Sequence, residues 1–167
     1  MDELYLRVSE ITKQALYPFM KEEVSPLNYH FHHFFDHCIH ENHIQVISHH
    51  FSNHKIEGLT VIDNLGTSFS YELDNPVTKR HFTLCHELGH FILRHDGSYF
   101  TESVDNQESI LEREANVFSA IVLMPDIVLL SKIYYSCDSF QKVKEDLEVS
   151  KQALYYRLID LLRVYQV

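Results

Sequence analysis

The sequence lacks any run of about eighteen apolar residues, the length that a membrane-spanning helix requires. Its first residues, MDELYLRVSE, carry acidic side chains where a signal peptide would have lysines before an apolar stretch. We therefore expect a cytoplasmic protein that has no membrane partner.

Cysteines and basic residues are also scarce. The cysteines are odd in number and lack C-x-x-C spacing, so neither a disulfide framework nor a cysteine zinc knuckle is predicted; they are Cys38, Cys85 and Cys137. Lys and Arg number 14 against 24 Asp and Glu, and the formal charge is −10. This charge repels phosphate backbones, and no run of basic residues forms a compensating patch. Direct nucleic-acid binding is therefore not expected.

Apolar residues, in contrast, make up 45% of the 167 residues, enough for the core of one compact domain. Helical spacing of apolar residues predicts N-terminal helices within residues 1–40, the first over 3 to about 20 and the second beginning at Pro26. Short β-branched and aromatic runs, separated by Asn and Gly, then predict a small antiparallel sheet of about three strands over residues 44–73.

Two longer helices follow the predicted sheet. The first spans residues 76–94, and the second spans 108–124 and ends before a proline. Residues 126–167 are predicted to form a C-terminal helical, helix-turn-helix-like segment that packs on a core formed by residues 1–125. The expected fold class is thus α+β and mainly helical.

The decisive motif lies on the first of these two helices and reads His86-Glu87-Leu88-Gly89-His90. Residues four apart on a helix have Cβ atoms about 6 Å apart, so two imidazoles can bind one Zn²⁺ at about 2.1 Å. Glu87 then lies beside the metal, where its carboxylate can accept a proton from zinc-bound water and pass it to the leaving amine. The apolar neighbours of the motif favour a buried active-site helix over two surface histidines.

A catalytic zinc needs a third protein ligand and a free position for water. Glu112 can supply that ligand, because its helix carries a Glu-x-x-Ala-Asn string that can approach the first helix closely at Ala115. Asn116, one turn beyond Glu112, can hydrogen-bond a ligand histidine. Glu114 is the competing candidate for the third ligand.

These residues resemble the signature of the ImmA/IrrE-type metallopeptidases. The resemblance covers about residues 56–162, and it rests on FTLCHELGHFIL at 82–93, EREANVFSA at 112–120, LMP at 123–125, and the pairs VS, AL and RL at 149–150, 153–154 and 157–158. It implies a zincin-like, more narrowly gluzincin-like, peptidase core. It also implies an intracellular zinc endopeptidase that cleaves a helix-turn-helix repressor of phage, mobile-element or stress-response genes.

Carried over by residue, the resemblance assigns His86, His90 and Glu112 to one zinc per chain, with Mn²⁺ as a substitute, and Glu87 to the role of base. It favours Glu112 over Glu114, because the related pattern places the ligand three residues before an alanine. The alternative function is a non-catalytic zinc-containing regulator, or a toxin/antitoxin-like partner, that acts by binding a repressor or DNA.

Four further features are left with open interpretations. Cys85 stands where the family usually has a small apolar residue, and we interpret it as a buried hydrophobic side chain. The segment 126–167 has a net charge of zero, which favours a scaffold or a docking surface over DNA reading. The loop 96–107 can shape a substrate cleft or simply connect two helices. Candidates for stabilising the oxyanion, none of them preferred, are Tyr71, Tyr99, His95 and Arg157.

The region 30–54 holds nine of the thirteen histidines of the chain. We interpret them as solvated or adventitious, because no pattern of carboxylates or cysteines completes a ligand set for them. A second zinc site or a pH sensor is the alternative. The nine are His30, His32, His33, His37, His40, His43, His49, His50 and His54.

Overall fold

The computed structural model of the protein describes residues 2–95 and 106–165. Helices dominate, and one three-stranded sheet lies between the second and third helices in chain order, so the α+β class is confirmed. The elements are α1 (Glu3–Glu23), a 3₁₀ turn (Pro26–Asn28), α2 (Phe31–Glu41), β1 (Ile44–His49), β2 (Gly58–Asp63), β3 (Gly66–Glu72), α3 (Val77–Ile92), α4 (Asn106–Leu123), α5 (Asp126–Leu130), a π-helical turn (Ser131–Tyr135), α6 (Phe140–Leu147) and α7 (Lys151–Tyr165).

The sheet corrects one prediction, because it is mixed rather than antiparallel. Its strand order is β1-β3-β2, in which β3 pairs antiparallel with β2 and parallel with β1. A tight turn at Asn64-Leu65 reverses the chain between β2 and β3, so β3 runs in the direction of β1 and lies between the other two strands. In this order β2 is an edge strand of the sheet. Residue spacing predicts strands but not their spatial order.

The N-terminal helices differ from prediction at their ends. α1 continues through Pro18 to Glu23, because a buried face at helical spacing outweighs the hydrogen bond that proline removes. α2 begins at Phe31 instead of Pro26. Pro26 starts only a single 3₁₀ turn, and the side chain of His30 caps the helix that follows.

α3 packs closely against α4, as Ala115 led us to expect. A Cβ added to Gly89 would lie 3.0 Å from the ring of Phe118 and 3.3 Å from Cα of Ala115. Glycine and alanine therefore allow the two helix backbones to approach where the motif lies. Both helices occur within two residues of the predicted boundaries, at Val77–Ile92 and Asn106–Leu123.

The C-terminal helices attach to the core through Asp126. Its carboxylate pairs with the guanidinium of Arg157 on α7, and Nζ of Lys13 on α1 lies 2.6 Å from its other oxygen. Nε of Arg157 also donates to the carbonyl of Met124 at 3.0 Å. Arg157 and Asp126 are each 2% exposed, so Arg157 is enclosed in the core and unavailable to base edges or to a substrate carbonyl.

One helical stretch, Ile110–Tyr135, is long and apolar enough to cross a membrane by length and composition. Its most apolar window is 61% buried inside the protein. The stretch also contains Glu112, Glu114 and Asp126, each paired to another side chain of the fold. These properties are those of a core helix.

Candidate metal centre

Three side chains from α3 and α4 converge at the contact between the two helices. His86 and His90 lie one turn apart on α3, and their Nε2 atoms are 3.1 Å apart. The carboxylate of Glu112 on α4 faces both, with Oε2 3.0 Å from Nε2 of His86 and Oε1 3.0 Å from Nε2 of His90. Two imidazole nitrogens and a carboxylate are thus within contact distance of a common point.

This donor set fits a zinc ion. Tetrahedral zinc with bonds of about 2.1 Å holds its ligand atoms roughly 3.4 Å apart, so the observed triangle needs only a small expansion. Three protein ligands that leave a fourth position free are typical of catalytic zinc, whereas structural zinc has four. Glu112 is half exposed and the two imidazoles are largely buried, so the group of three side chains lies at the protein surface.

Glu87 lies on the same helix, in contact with the sheet. It is 7% exposed, and the hydroxyl of Thr60 on β2 donates a hydrogen bond to its Oε2. Burial raises the pKa of Glu87 above the ordinary glutamate value, against the opposing effects of that hydrogen bond and of His86 and His90. A buried carboxyl with a raised pKa next to a candidate metal site is a group that can accept and release a proton near neutral pH.

Each imidazole is held through Nδ1, the ring nitrogen that does not face Glu112. Nδ1 of His86 lies 2.8 Å from Oδ1 of Asn116, an acceptor only, so this nitrogen carries the proton and Nε2 is free to bind a metal. Nδ1 of His90 lies 2.8 Å from Nδ1 of His95, whose Nε2 lies 2.7 Å from a carboxylate oxygen of Glu114. Because a carboxylate only accepts, Nε2 of His95 donates to Glu114. Nδ1 of a neutral His95 then accepts from Nδ1 of His90, which leaves Nε2 of His90 to bind a metal.

The model of a peptidase family described as the IrrE N-terminal-like domain matches residues 39–159 of the chain. The chain belongs to this family. Membership in the IrrE N-terminal-like family confirms the resemblance and the zincin-like core, and it implies a metallopeptidase that carries a metal. No curated protein matches the chain significantly.

The charges of the site in this IrrE N-terminal-like domain suit a cation. Burial raises the pKa of Glu112, but hydrogen bonds and charges of the two histidines outweigh it and hold that pKa far below its usual range. Burial also raises the pKa of Glu114, which Arg7 and His95 lower to a greater extent. Both carboxylates are consequently ionised at neutral pH. Burial lowers the pKa of His95, which keeps this imidazole neutral.

The structure separates Glu112, which the family pattern favours as a ligand, from its competitor Glu114. The carboxylate of Glu112 meets both motif histidines, whereas that of Glu114 is turned to His95 and to Arg7 on α1. Asn116 lies where a partner of His86 was expected. Cys85 is fully buried and free, and burial raises its pKa far above the usual range, in agreement with its interpretation as a hydrophobic side chain.

Of the oxyanion candidates, Arg157 and His95 are held by other partners of the fold. Tyr71 stands on β3 opposite Gly58, on the sheet face that meets α3. Tyr99 and most of the loop 96–107 lie outside the described residues. Thr60 was missed because no spacing in the sequence relates a strand threonine to Glu87.

Proposed function

We propose that this protein is a zinc-dependent endopeptidase that cleaves a helix-turn-helix transcriptional repressor. The observation that carries the proposal is the convergence of His86, His90 and Glu112 on one point, with the buried carboxyl of Glu87 on the same helix. Family membership supports the reaction class. The repressor as substrate rests on the resemblance described for the sequence.

In this proposal His86, His90 and Glu112 hold the ion. Zinc, when bound, supplies Lewis acidity that polarises the scissile carbonyl and lowers the pKa of water. Glu87 takes a proton from the attacking water and returns it to the leaving amine. Thr60 fixes Oε2 of Glu87 by hydrogen bonding, which leaves Oε1 to move the proton. A Cβ at position 58 would lie 3.0 Å from Oε1 of Glu87, so the glycine found there leaves space for the carboxylate.

The edge strand β2 supports a peptide as substrate. Within the described parts of the chain, only β3 pairs with β2, so the other edge of β2 presents backbone N–H and C=O groups. An extended peptide can add to such an edge by main-chain hydrogen bonds. Because Gly58 and Thr60 of β2 touch α3, a peptide on this edge lies near Glu87.

The test is Glu87→Gln, assayed with a helix-turn-helix repressor encoded beside the gene for this protein and with added zinc or manganese. We expect the variant to keep its zinc and to lose cleavage by roughly the 10²- to 10⁴-fold that a general base contributes. Glu41→Gln removes an exposed carboxylate on α2 and should cleave like the wild type. Cleavage that persists in Glu87→Gln would refute the mechanism.

The same experiment distinguishes the alternative function. A non-catalytic regulator would bind the repressor or DNA stoichiometrically and leave both intact, with wild type and Glu87→Gln indistinguishable. A fourth protein ligand on the metal, detected by X-ray absorption of the zinc-loaded protein, would also favour that alternative, because closed sites are structural.

A further inference from the structure

A second group of two histidines and a glutamate lies outside the catalytic constellation. His30 precedes α2, His81 lies on α3, and Glu148 ends α6. Nε2 of His30 is 3.0 Å from Oε2 of Glu148, and Nδ1 of His81 is 3.6 Å from the same oxygen. One donor atom from each of the three side chains lies within 4.8 Å of the others.

This group matches the catalytic ligand set in composition and burial. The side chains of His30 and His81 are 16% and 18% exposed, and Glu148 is 50% exposed. In the catalytic set His86 is 14% exposed and Glu112 is 49% exposed. Both groups therefore combine largely buried imidazoles with a half-exposed carboxylate, which suits a zinc ion held at the surface.

The local bonding of each residue indicates a missing partner at the centre. Among the residues that the structure describes, Nδ1 of His81 has no hydrogen-bond partner, although it is buried. Nδ1 of His30 accepts from the backbone N–H of His32, so Nε2 carries the proton and faces Glu148. Zinc on Nε2 requires the other tautomer, in which Nδ1 donates its proton to Nδ1 of His32, 2.5 Å away.

Glu148 lies at the C-terminal end of α6. This residue caps α6 in the left-handed conformation, with φ 53° and ψ 47°. Glycine or asparagine usually occupies such a position, because a longer side chain is strained there. His43, Arg94 and Cys137 share this conformation among the described residues, so the conformation by itself indicates no ligand, and the position of the Glu148 carboxylate beside the two histidines is the relevant feature.

We propose that His30, His81 and Glu148 bind a second Zn²⁺, and that this ion joins the turn after α6 to α2 and α3. The fourth position is left to water. The histidine-rich segment thereby gains a role through His30, with His81 and Glu148 completing a ligand set that is dispersed in the sequence. The site is independent of peptidase activity, so neither proposal depends on the other.

Zinc counting tests the proposal. The protein is equilibrated with zinc buffered at about 100 nM, where weak surface binding is minor, and bound zinc is measured by mass spectrometry of the metal. We expect about two zinc ions per chain in the wild type. Glu148→Gln and His30→Ala should each bind about one, and the double variant His86→Ala/His90→Ala should also bind about one.

The matched control is His50→Ala. His50 lies beside Glu72 and Asp74 in an exposed group of similar composition, and its loss should leave the zinc count unchanged. A count near one in the wild type would overturn the proposal. So would a full count in Glu148→Gln, or a loss in His50→Ala, since either result would indicate an adventitious ion only.

A second measurement, the melting temperature, controls for effects of the substitutions on folding. In the His86→Ala/His90→Ala background, zinc should raise the melting temperature, because the ion joins three elements of the fold. Adding Glu148→Gln should abolish that rise while the metal-free melting temperature stays close to that of the parent, since the side chain is half exposed. A rise that persists with Glu148→Gln would contradict the assignment.

Discussion

Replacing Glu114 by glutamine tests the hydrogen bonds behind His90. The carboxylate of Glu114 accepts from His95, which in turn holds Nδ1 of His90. This chain fixes the imidazole of His90 with Nε2 turned to Glu112. The substitution keeps the shape of the side chain and removes its charge, so it weakens this support without touching a metal ligand.

The expected magnitude follows from burial. His95 and Glu114 are only 4% and 8% exposed, so water does not replace the lost charge. Loss of such a supporting partner lowers metal affinity by about 10- to 100-fold. For Glu114→Gln we expect a loss of zinc affinity near the lower limit, about tenfold or 1.4 kcal/mol, because the amide oxygen of glutamine still accepts from His95. Arg7 is 53% exposed and can be hydrated, so its broken ion pair should cost the metal-free fold at most about 1 kcal/mol.

The assay is competition for zinc with a chromophoric chelator, with urea unfolding of the metal-free protein in parallel. Glu22→Gln removes the same charge from an exposed position on α1 and should bind zinc like the wild type. His95→Ala should reach the upper part of the range. Equal zinc affinity in Glu114→Gln and Glu22→Gln would refute the role given to this hydrogen-bond chain.

Three further predictions concern the contacts around the site and the C-terminal helices. Thr60→Val removes the hydrogen bond to Glu87 and should lower kcat/KM for the repressor by roughly 10-fold or more with zinc content unchanged. Gly58→Ala places a Cβ 2.4 Å from a methyl group of α3 and should lower the free energy of unfolding by about 1–3 kcal/mol in urea titrations. Asp126→Asn leaves the guanidinium of Arg157 buried without its charge partner and should cost about 3–5 kcal/mol at pH 7. Burial raises the pKa of Asp126, but its basic partners outweigh this effect and hold the pKa below 3.8, the ordinary value of an aspartate. The ion pair therefore stabilises the wild type above pH 3.8, and that contribution is lost as the pH falls through the lower folded value, a loss that Asp126→Asn should not show in unfolding measured against pH.

The motif helix was predictable because its information is local. The absence of proline within the helix and the four-residue spacing of His86 and His90 depend on neighbours in the chain. Cys85, interpreted as a buried hydrophobic side chain because the family usually has a small apolar residue there, is fully buried. The helix that carries Glu112 followed from the same kind of reasoning.

The parts that were wrong or missed depend on contacts between distant segments. The parallel pairing of β1 with β3 depends on which edge of the hairpin β1 joins, and no residue spacing records that choice. Thr60 reaches Glu87 only because the start of β2 touches α3. Pro26 carried a helix-start signal that the chain uses for a single 3₁₀ turn, because the side chain of His30 caps the helix later.

By itself the sequence determined which chemistry the chain can support: two imidazoles one turn apart on one helix, a glutamate directly after the first of them, and a family signature around them. The family pattern favoured Glu112, and the tertiary structure shows its contact with those imidazoles, whereas Glu114, two positions further along, is turned to His95. The tertiary structure also brought His30, His81 and Glu148 together from separate elements. Spacing along one helix is fixed by its geometry, whereas the meeting of separate elements is fixed by how their buried faces pack.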